Sequence, residues 1–174
     1  NIAREPDLDN RAITGLVAQP DSGRVWASTA GLGVLTSPDR GTSWSQTNQG
    51  LRSTRPLALE IGLNDELLLG TRAGLFRLTG APEDGHWNRY HDRATSAVEI
   101  DRERSKLFSG TVGGTVVAGP NPETSRVSQV ETAGDRDAPL FRPWSIPSSI
   151  TEPRAIVSLA TRPDSQELYA WSRK

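Results

Sequence analysis

Leu67-Leu-Leu-Gly-Thr-Arg-Ala-Gly-Leu-Phe-Arg77 is the stretch on which the fold turns. An apolar run meets a corner of small residues that includes a glycine, and a second apolar run leaves it. Two short strands joined by a tight turn have this composition, because glycine supplies backbone angles that a reversal demands. The pattern recurs at Val25-Trp-Ala-Ser-Thr-Ala-Gly-Leu-Gly-Val-Leu35 and at Leu107-Phe-Ser-Gly-Thr-Val-Gly-Gly-Thr-Val-Val117. The spacing is roughly 40 residues, a period that marks a repeat architecture.

Each copy is preceded by another short apolar run: Ile13 to Ala18, Leu57 to Ile61 and Ala97 to Ile100. Polar turns lie between, at Pro20-Asp-Ser-Gly23, Asn64-Asp65 and Asp101-Arg-Glu-Arg104, with residue types that hairpins favour. A further strand closes each unit at Trp44 to Gln46, at Trp87 to Tyr90 and, with a weaker signal, at Val127 to Val130. Four short antiparallel strands per unit are the anatomy of a β-propeller blade, so an all-β fold is expected. A fourth unit begins at Ile156-Val-Ser-Leu-Ala160, turns at Pro163-Asp-Ser-Gln166 and continues through Leu168-Tyr-Ala-Trp171. The blades fall at about 11–50, 55–92, 95–131 and 154–174, some three and a half in all. Residues 131–153, rich in Asp, Pro and Ser, break the rhythm and read as a long irregular loop. No stretch has the period of a long amphipathic helix.

Between the third and fourth strands of the first unit stands Ser37-Pro-Asp39-Arg-Gly41-Thr-Ser43-Trp44. Its logic is local. Asp39 is placed to accept hydrogen bonds from amides of the turn. Gly41 supplies a backbone conformation that other residues resist. Trp44 carries a large ring toward the space between neighbouring sheets. The stretch resembles the Asp box (BNR-like motif), Ser-x-Asp-x-Gly-x-Ser/Thr-Trp. That motif recurs in sialidases, in the sortilin ectodomain, in Asp-box glycoside hydrolases and in photosystem II assembly factors. The resemblance implies a structural role for Ser37, Asp39, Gly41, Ser43 and Trp44. The second unit keeps a shortened version, Gly80-Ala-Pro82-Glu-Asp84-Gly85-His86-Trp87. The third, Pro120-Asn-Pro-Glu-Thr-Ser-Arg126, lacks both the Asp-Gly pair and the tryptophan. The blade pattern covers nearly the whole chain; the strict motif covers eight residues.

Composition narrows the function classes. Lys+Arg is 20 and Asp+Glu is 21, a formal net charge of −1. Charge is mixed along the chain, with no basic stripe for a nucleic acid and no acidic tail. Cysteine is absent, which excludes disulfides, thiolate zinc sites and cysteine nucleophiles. No apolar stretch is long enough to cross a bilayer as a helix, and no signal peptide is visible. Methionine is absent too, which leads to the expectation that the chain is processed or is part of a longer product.

Propellers close with roughly 4–8 blades. An arc of this size would leave sheet faces to be covered by further blades of the parent protein or by a partner. Within each blade, the loops joining strands two and three share one edge with the loops joining successive blades. The Ser37–Trp44 turn belongs to the opposite edge. The candidate binding face therefore comprises residues 29–33, 48–55, 72–74, 91–96 and 112–114, and it carries Arg52, Arg55, Arg72, His91 and Arg93. Arginines so placed suit carboxylates or acidic protein segments. The plainer alternative is solvated loop arginines paired with nearby Asp or Glu.

Other chemistry is weakly encoded. Resemblance to sialidases implies an arginine triad, a tyrosine nucleophile with a glutamate partner, and an aspartic acid. Tyr90 and Tyr169 are the only tyrosines, and neither has a convincing setting. Phe141-Arg142-Pro143-Trp144 lacks the isoleucine of the sialidase Phe-Arg-Ile-Pro signature. Asp101 and Glu103 read as turn residues, so no catalytic residue is assigned. His86 and His91 lie at opposite ends of one expected strand, which argues against a metal site. No cofactor is implied. Trp26, Trp44, Trp87 and Trp171 are expected in the core. Trp144 falls in the irregular segment, as a plug over the propeller or an exposed anchor for a partner.

The resulting expectation is a non-enzymatic β-propeller that acts as a protein-binding or assembly scaffold. The likeness to photosystem II assembly factors implies an exported, extracytoplasmic protein (periplasmic or secreted) that serves a membrane complex. The alternative is a fragment of an Asp-box glycoside hydrolase or sialidase-like carbohydrate-active protein. The partners expected are a protein or the remaining blades, with carbohydrate under the alternative, and no nucleic acid.

Overall fold

Thr29 and Thr71 each end the second strand of a hairpin, and each hydroxyl donates across the corner to a glycine carbonyl. The acceptors are Gly33 and Gly74, both at 3.1 Å. Thr111 holds the third such corner by pairing its hydroxyl with that of Thr115 at 2.8 Å. The computed structural model in which these corners stand describes residues 11–19, 21–63, 65–103, 105–120, 142–144, 155–161 and 168–172. Among the described residues every regular element is a strand.

The first sheet contains β1 (Ile13–Ala18), β2 (Val25–Thr29), β3 (Gly33–Ser37) and β4 (Ser45–Gln46). The second contains β5 (Pro56–Ile61), β6 (Leu67–Thr71), β7 (Gly74–Thr79) and β8 (His86–His91). The third contains β9 (Thr95–Asp101), β10 (Lys106–Thr111), β11 (Val116–Pro120) and β12 (Arg142–Trp144). The fourth pairs β13 (Ile156–Thr161) with β14 (Leu168–Ser172). Neighbours within each sheet follow chain order and run antiparallel. The first strands of successive sheets lie beside one another, β1 by β5, β5 by β9 and β9 by β13. Sheets ranked in this way, each offering its first strand to a common axis, form an open, partial β-propeller.

The β1–β2 turn and its counterparts repeat one backbone device. Gly23, Asp65 and Ser105 all have positive φ, at 69°, 62° and 51°. Each stands two residues before the start of the apolar run at Val25, Leu67 or Leu107.

One difference concerns the third sheet. The sequence pattern predicts its fourth strand at Val127 to Val130, which lie outside the described residues. The strand beside β11 is instead β12, inside the segment read as an irregular loop; it pairs Trp144 with Val116 and Arg142 with Ala118. Pro143 is compatible with this place because an edge strand leaves one side without a ladder.

The core lies between the sheets. Trp26 and Val34 of the first sheet pack on Leu69, Phe76 and Trp87 of the second. Leu68 and Leu75 of the second meet Val98, Ile100 and Leu107 of the third. Phe108 and Val116 of the third meet Ile156 and Leu159 of the fourth. Burying each such side chain stabilises the fold by about 1.5–3 kcal/mol.

Two tryptophans depart from expectation. Trp171 is 51% exposed rather than in the core. It sits across from Ser158, the register position that Ser28, Gly70 and Gly110 occupy in the other sheets. There the first strand of the following sheet comes close: a Cβ on Gly70 would lie 2.9 Å from the Thr95 carbonyl oxygen. Nothing described packs on that face of the fourth sheet, so Trp171 stays in solvent and stacks beside Tyr169. Trp44 is half-buried and absent from the core clusters. Its Nε1 donates to the Gly41 carbonyl at 3.1 Å, which folds the ring back over its own turn.

Candidate functional site

The candidate face is built from loops held down by their own backbone. The β4–β5 connection carries Arg52 and Arg55. It is pinned by Leu51 N–H to the Asn48 carbonyl at 3.0 Å and by Gly31 N–H to the Thr54 carbonyl at 3.1 Å. Asn48 locks its start: Oδ1 accepts the Val34 N–H at 2.9 Å while Nδ2 donates to the Leu32 carbonyl at 2.6 Å. The β6–β7 corner carries Arg72, and Thr71 Oγ1 accepts the Ala73 N–H there at 3.0 Å. The β8–β9 connection carries Arg93, and the Ala94 carbonyl accepts the Val112 N–H at 2.9 Å.

These four arginines are exposed. Among the described residues, Arg24 and Glu83 form an ion pair at 2.6 Å, on the opposite edge, and none of the four takes part in one. Meander geometry places all four on the same edge of the sheets.

His91 has the same location in sequence but another orientation. Its Nδ1 accepts the Arg93 N–H at 3.2 Å, which leaves the proton on Nε2 to reach Ser109 Oγ at 3.0 Å. Burial holds its pKa down to about 4, so the ring is neutral near pH 7. His91 is thus a bracket between the second and third sheets beneath the arginine loops.

The opposite edge carries the Ser37–Trp44 turn. Asp39 Oδ1 accepts Ser43 N–H and Ser37 Oγ, both at 2.8 Å, and Oδ2 accepts Ser43 Oγ at 2.7 Å. Ser37 Oγ accepts the Gly41 N–H at 2.7 Å, and Gly41 has φ +94°. The Ser43 hydroxyl and amide, then the Ser37 hydroxyl, bring the Asp39 pKa down to about 2. These bonds are spent within the turn and hold Asp39 as a structural carboxylate.

The remaining sequence candidates are dispersed. Burial pushes the Tyr90 phenol up to about 12, so it keeps its proton. Trp144 belongs to β12, and its side chain lies outside the described residues. Glu99 accepts the Thr161 N–H at 3.0 Å and the Thr161 hydroxyl at 2.8 Å, a clasp between β9 and β13. Glu60 holds the equivalent register position one sheet earlier. Burial raises its pKa. No group of three His, Cys, Asp or Glu among the described residues converges as a metal site would require. Nor is any helix there long and apolar enough to cross a membrane.

No family model matches the chain, and no curated protein matches it. Solved structures do. The extracellular domain of BT4673, a B. thetaiotaomicron protein named as a one-component system, is similar at TM-score 0.60 and 17% identity, over 88% of this chain and 19% of that one. U3-55K is similar at TM-score 0.61 and 16% identity, over 90% of this chain and 44% of that one. The WD40 repeats of RRP9 are similar at TM-score 0.59 and 15% identity, again over 90% and 44%. The chain spans less than half the length of each. At these identities the likeness is one of fold, and it agrees with the sheet order: the chain is a partial β-propeller of four-stranded antiparallel blades.

Proposed function

We propose that this propeller is a non-enzymatic scaffold that binds an acidic protein segment through its arginine loops. The observation that carries the reading is the exposure of Arg52, Arg55, Arg72 and Arg93 on one edge, outside any ion pair among the described residues. Loops already pinned by backbone hydrogen bonds lose little freedom on binding. Guanidinium groups suit carboxylates in bidentate geometry, and like charges on one edge steer an acidic partner inward. Asp92 is the only carboxylate in these loops, whereas a glycosidase needs a pair.

The finer reading, an exported assembly factor that serves a membrane complex, rests on the Asp-box resemblance of Ser37–Trp44 and on the bonds that converge on Asp39. It places the protein outside the cytoplasm. A fluorescent Glu-rich peptide tests the scaffold reading. Anisotropy titration should show binding that weakens with salt and falls at least roughly tenfold when all four arginines become alanine. Equal affinity for both proteins would overturn it.

A further inference from the structure

Two cavities open on the edge opposite the arginine loops, and they meet at Asp65. One has a volume of about 350 Å³ and is lined by Trp26, Leu67 and Arg77 among others. The second, about 400 Å³, is lined by Val17, Glu60 and Arg102 among others. Asp65 lines both. Each volume falls in the range of small-molecule sites, roughly 300–1,000 Å³.

The placement follows from the repeat. Asp65 stands at the β5–β6 turn in the positive-φ position that Gly23 and Ser105 hold in the neighbouring sheets. Its carboxylate is exposed at the crest between the two cavities. Arg102 reaches back from the β9–β10 turn and donates to the carbonyls of Ile61 at 3.2 Å and Gly62 at 3.4 Å. That contact fixes a guanidinium of the third sheet at the rim of the second cavity. Glu60 lies half-buried beside it on β5.

We propose that the two cavities form one bipartite site for a neutral, hydroxyl-rich ligand, a short oligosaccharide with one ring in each. An anion is repelled by Glu60 and Asp65, and a cation by Arg77 and Arg102. A hydroxyl both donates and accepts, so it pairs with either kind of side chain. The apolar faces of a sugar ring suit Trp26, Leu67 and Val17, while the rim supplies the polar partners. The site lies away from the arginine loops and is independent of the scaffold reading.

The experiment is a titration with neutral oligosaccharides of one to three units (gluco-, manno- and xylo-configured), read by saturation-transfer NMR and calorimetry. Asp65→Gly removes the shared carboxylate and keeps the positive-φ turn, and Glu60→Gln removes a charge without changing shape. Thermal melting of each variant confirms that it folds. At least one trisaccharide series is expected to bind, with the di- or trisaccharide tighter than the monosaccharide. Each variant should weaken binding about tenfold, the loss expected from a charged hydrogen bond. Arg72→Ala on the other edge should change nothing. Absence of binding to every neutral sugar at millimolar concentration would overturn the proposal. So would binding indifferent to Asp65→Gly and Glu60→Gln, or a preference for charged peptides over sugars.

Discussion

The indole Nε1 of Trp87 donates to the backbone carbonyl of Thr47 at 2.6 Å, across the junction of the first and second sheets. The backbone N–H of Trp87 also donates to the Gln49 carbonyl at 2.8 Å. The ring is 1% exposed and packs with Trp26, Leu69 and Phe76. One residue therefore supplies both apolar bulk and the polar stitch between two blades. Trp87→Phe keeps most of the bulk but leaves the Thr47 carbonyl unpaired, and should cost about 1–3 kcal/mol. Trp87→Ala should cost about 3–5 kcal/mol. Urea unfolding read by circular dichroism separates the two, and a Phe variant as stable as the parent would remove the stitch from this account.

Strand positions are legible in the sequence because burial on both faces turns a blade's second strand into a continuous apolar run, as at Leu67 to Leu69. β1 is found at Ile13–Ala18, the run expected, although Leu16 is 63% exposed. β12 escapes because three residues around Pro143 carry no alternation, and an edge strand needs none. Trp171 misleads for another reason. Hydrophobicity reports what a residue can bury, whereas burial depends on whether a neighbouring sheet covers it. The candidate face is legible as an edge, since meander topology sorts the loops into two sets. The inward turn of His91 is not, because it depends on Ser109 in a different blade. Nor is the meeting of Asp65 with Glu60 and Arg102, which three turns of separate sheets bring together.

Gly110 marks where the third and fourth sheets touch most closely. A Cβ there would run into the side chain of Ile156, which is itself buried. Gly110→Ala should destabilise the protein by about 1–3 kcal/mol through overpacking. Trp171→Ala, at the equivalent register position in the fourth sheet, should change stability by less than about 0.5 kcal/mol because that face is open. Thermal melts of both variants test whether the junction is as tight as Gly110 implies.

His91 gives the fold a defined pH dependence. Its pKa is lowered from 6.5 to about 4, with burial the main cause, the Arg93 charge adding to it and Asp92 opposing it. Between these values the unfolded chain binds a proton that the folded chain resists. Stability is therefore full above about 6.5 and falls as the pH drops toward about 4, where the folded ring also becomes charged. His91→Gln should flatten the melting temperature over that window and leave the value at pH 8 less changed in slope than in height. Because the ring braces the arginine loops, acid should also loosen them, and amide exchange at Arg93 and Ala94 should rise between pH 6.5 and 4 in the parent. Exchange rates that follow only the intrinsic pH effect would count against this coupling.

Ser105 occupies a conformation that its side chain resists. Its φ is 51°, and the same turn position is glycine at Gly23, where φ is 69°. An L-residue in the left-handed region carries a strain of roughly 1–2 kcal/mol that glycine avoids. Glycine also gives the unfolded chain more freedom, which opposes part of the gain. Ser105→Gly should therefore raise stability by a net of about 0.5–1 kcal/mol. Ser105→Val, branched at Cβ, should lower it, since a β-branched residue tolerates positive φ least. The ordering Gly above Ser above Val in urea midpoint would show that the turn dictates the backbone at this position. Gly23→Ala should fall in the same sense, because its φ of 69° imposes the same restriction on the first sheet.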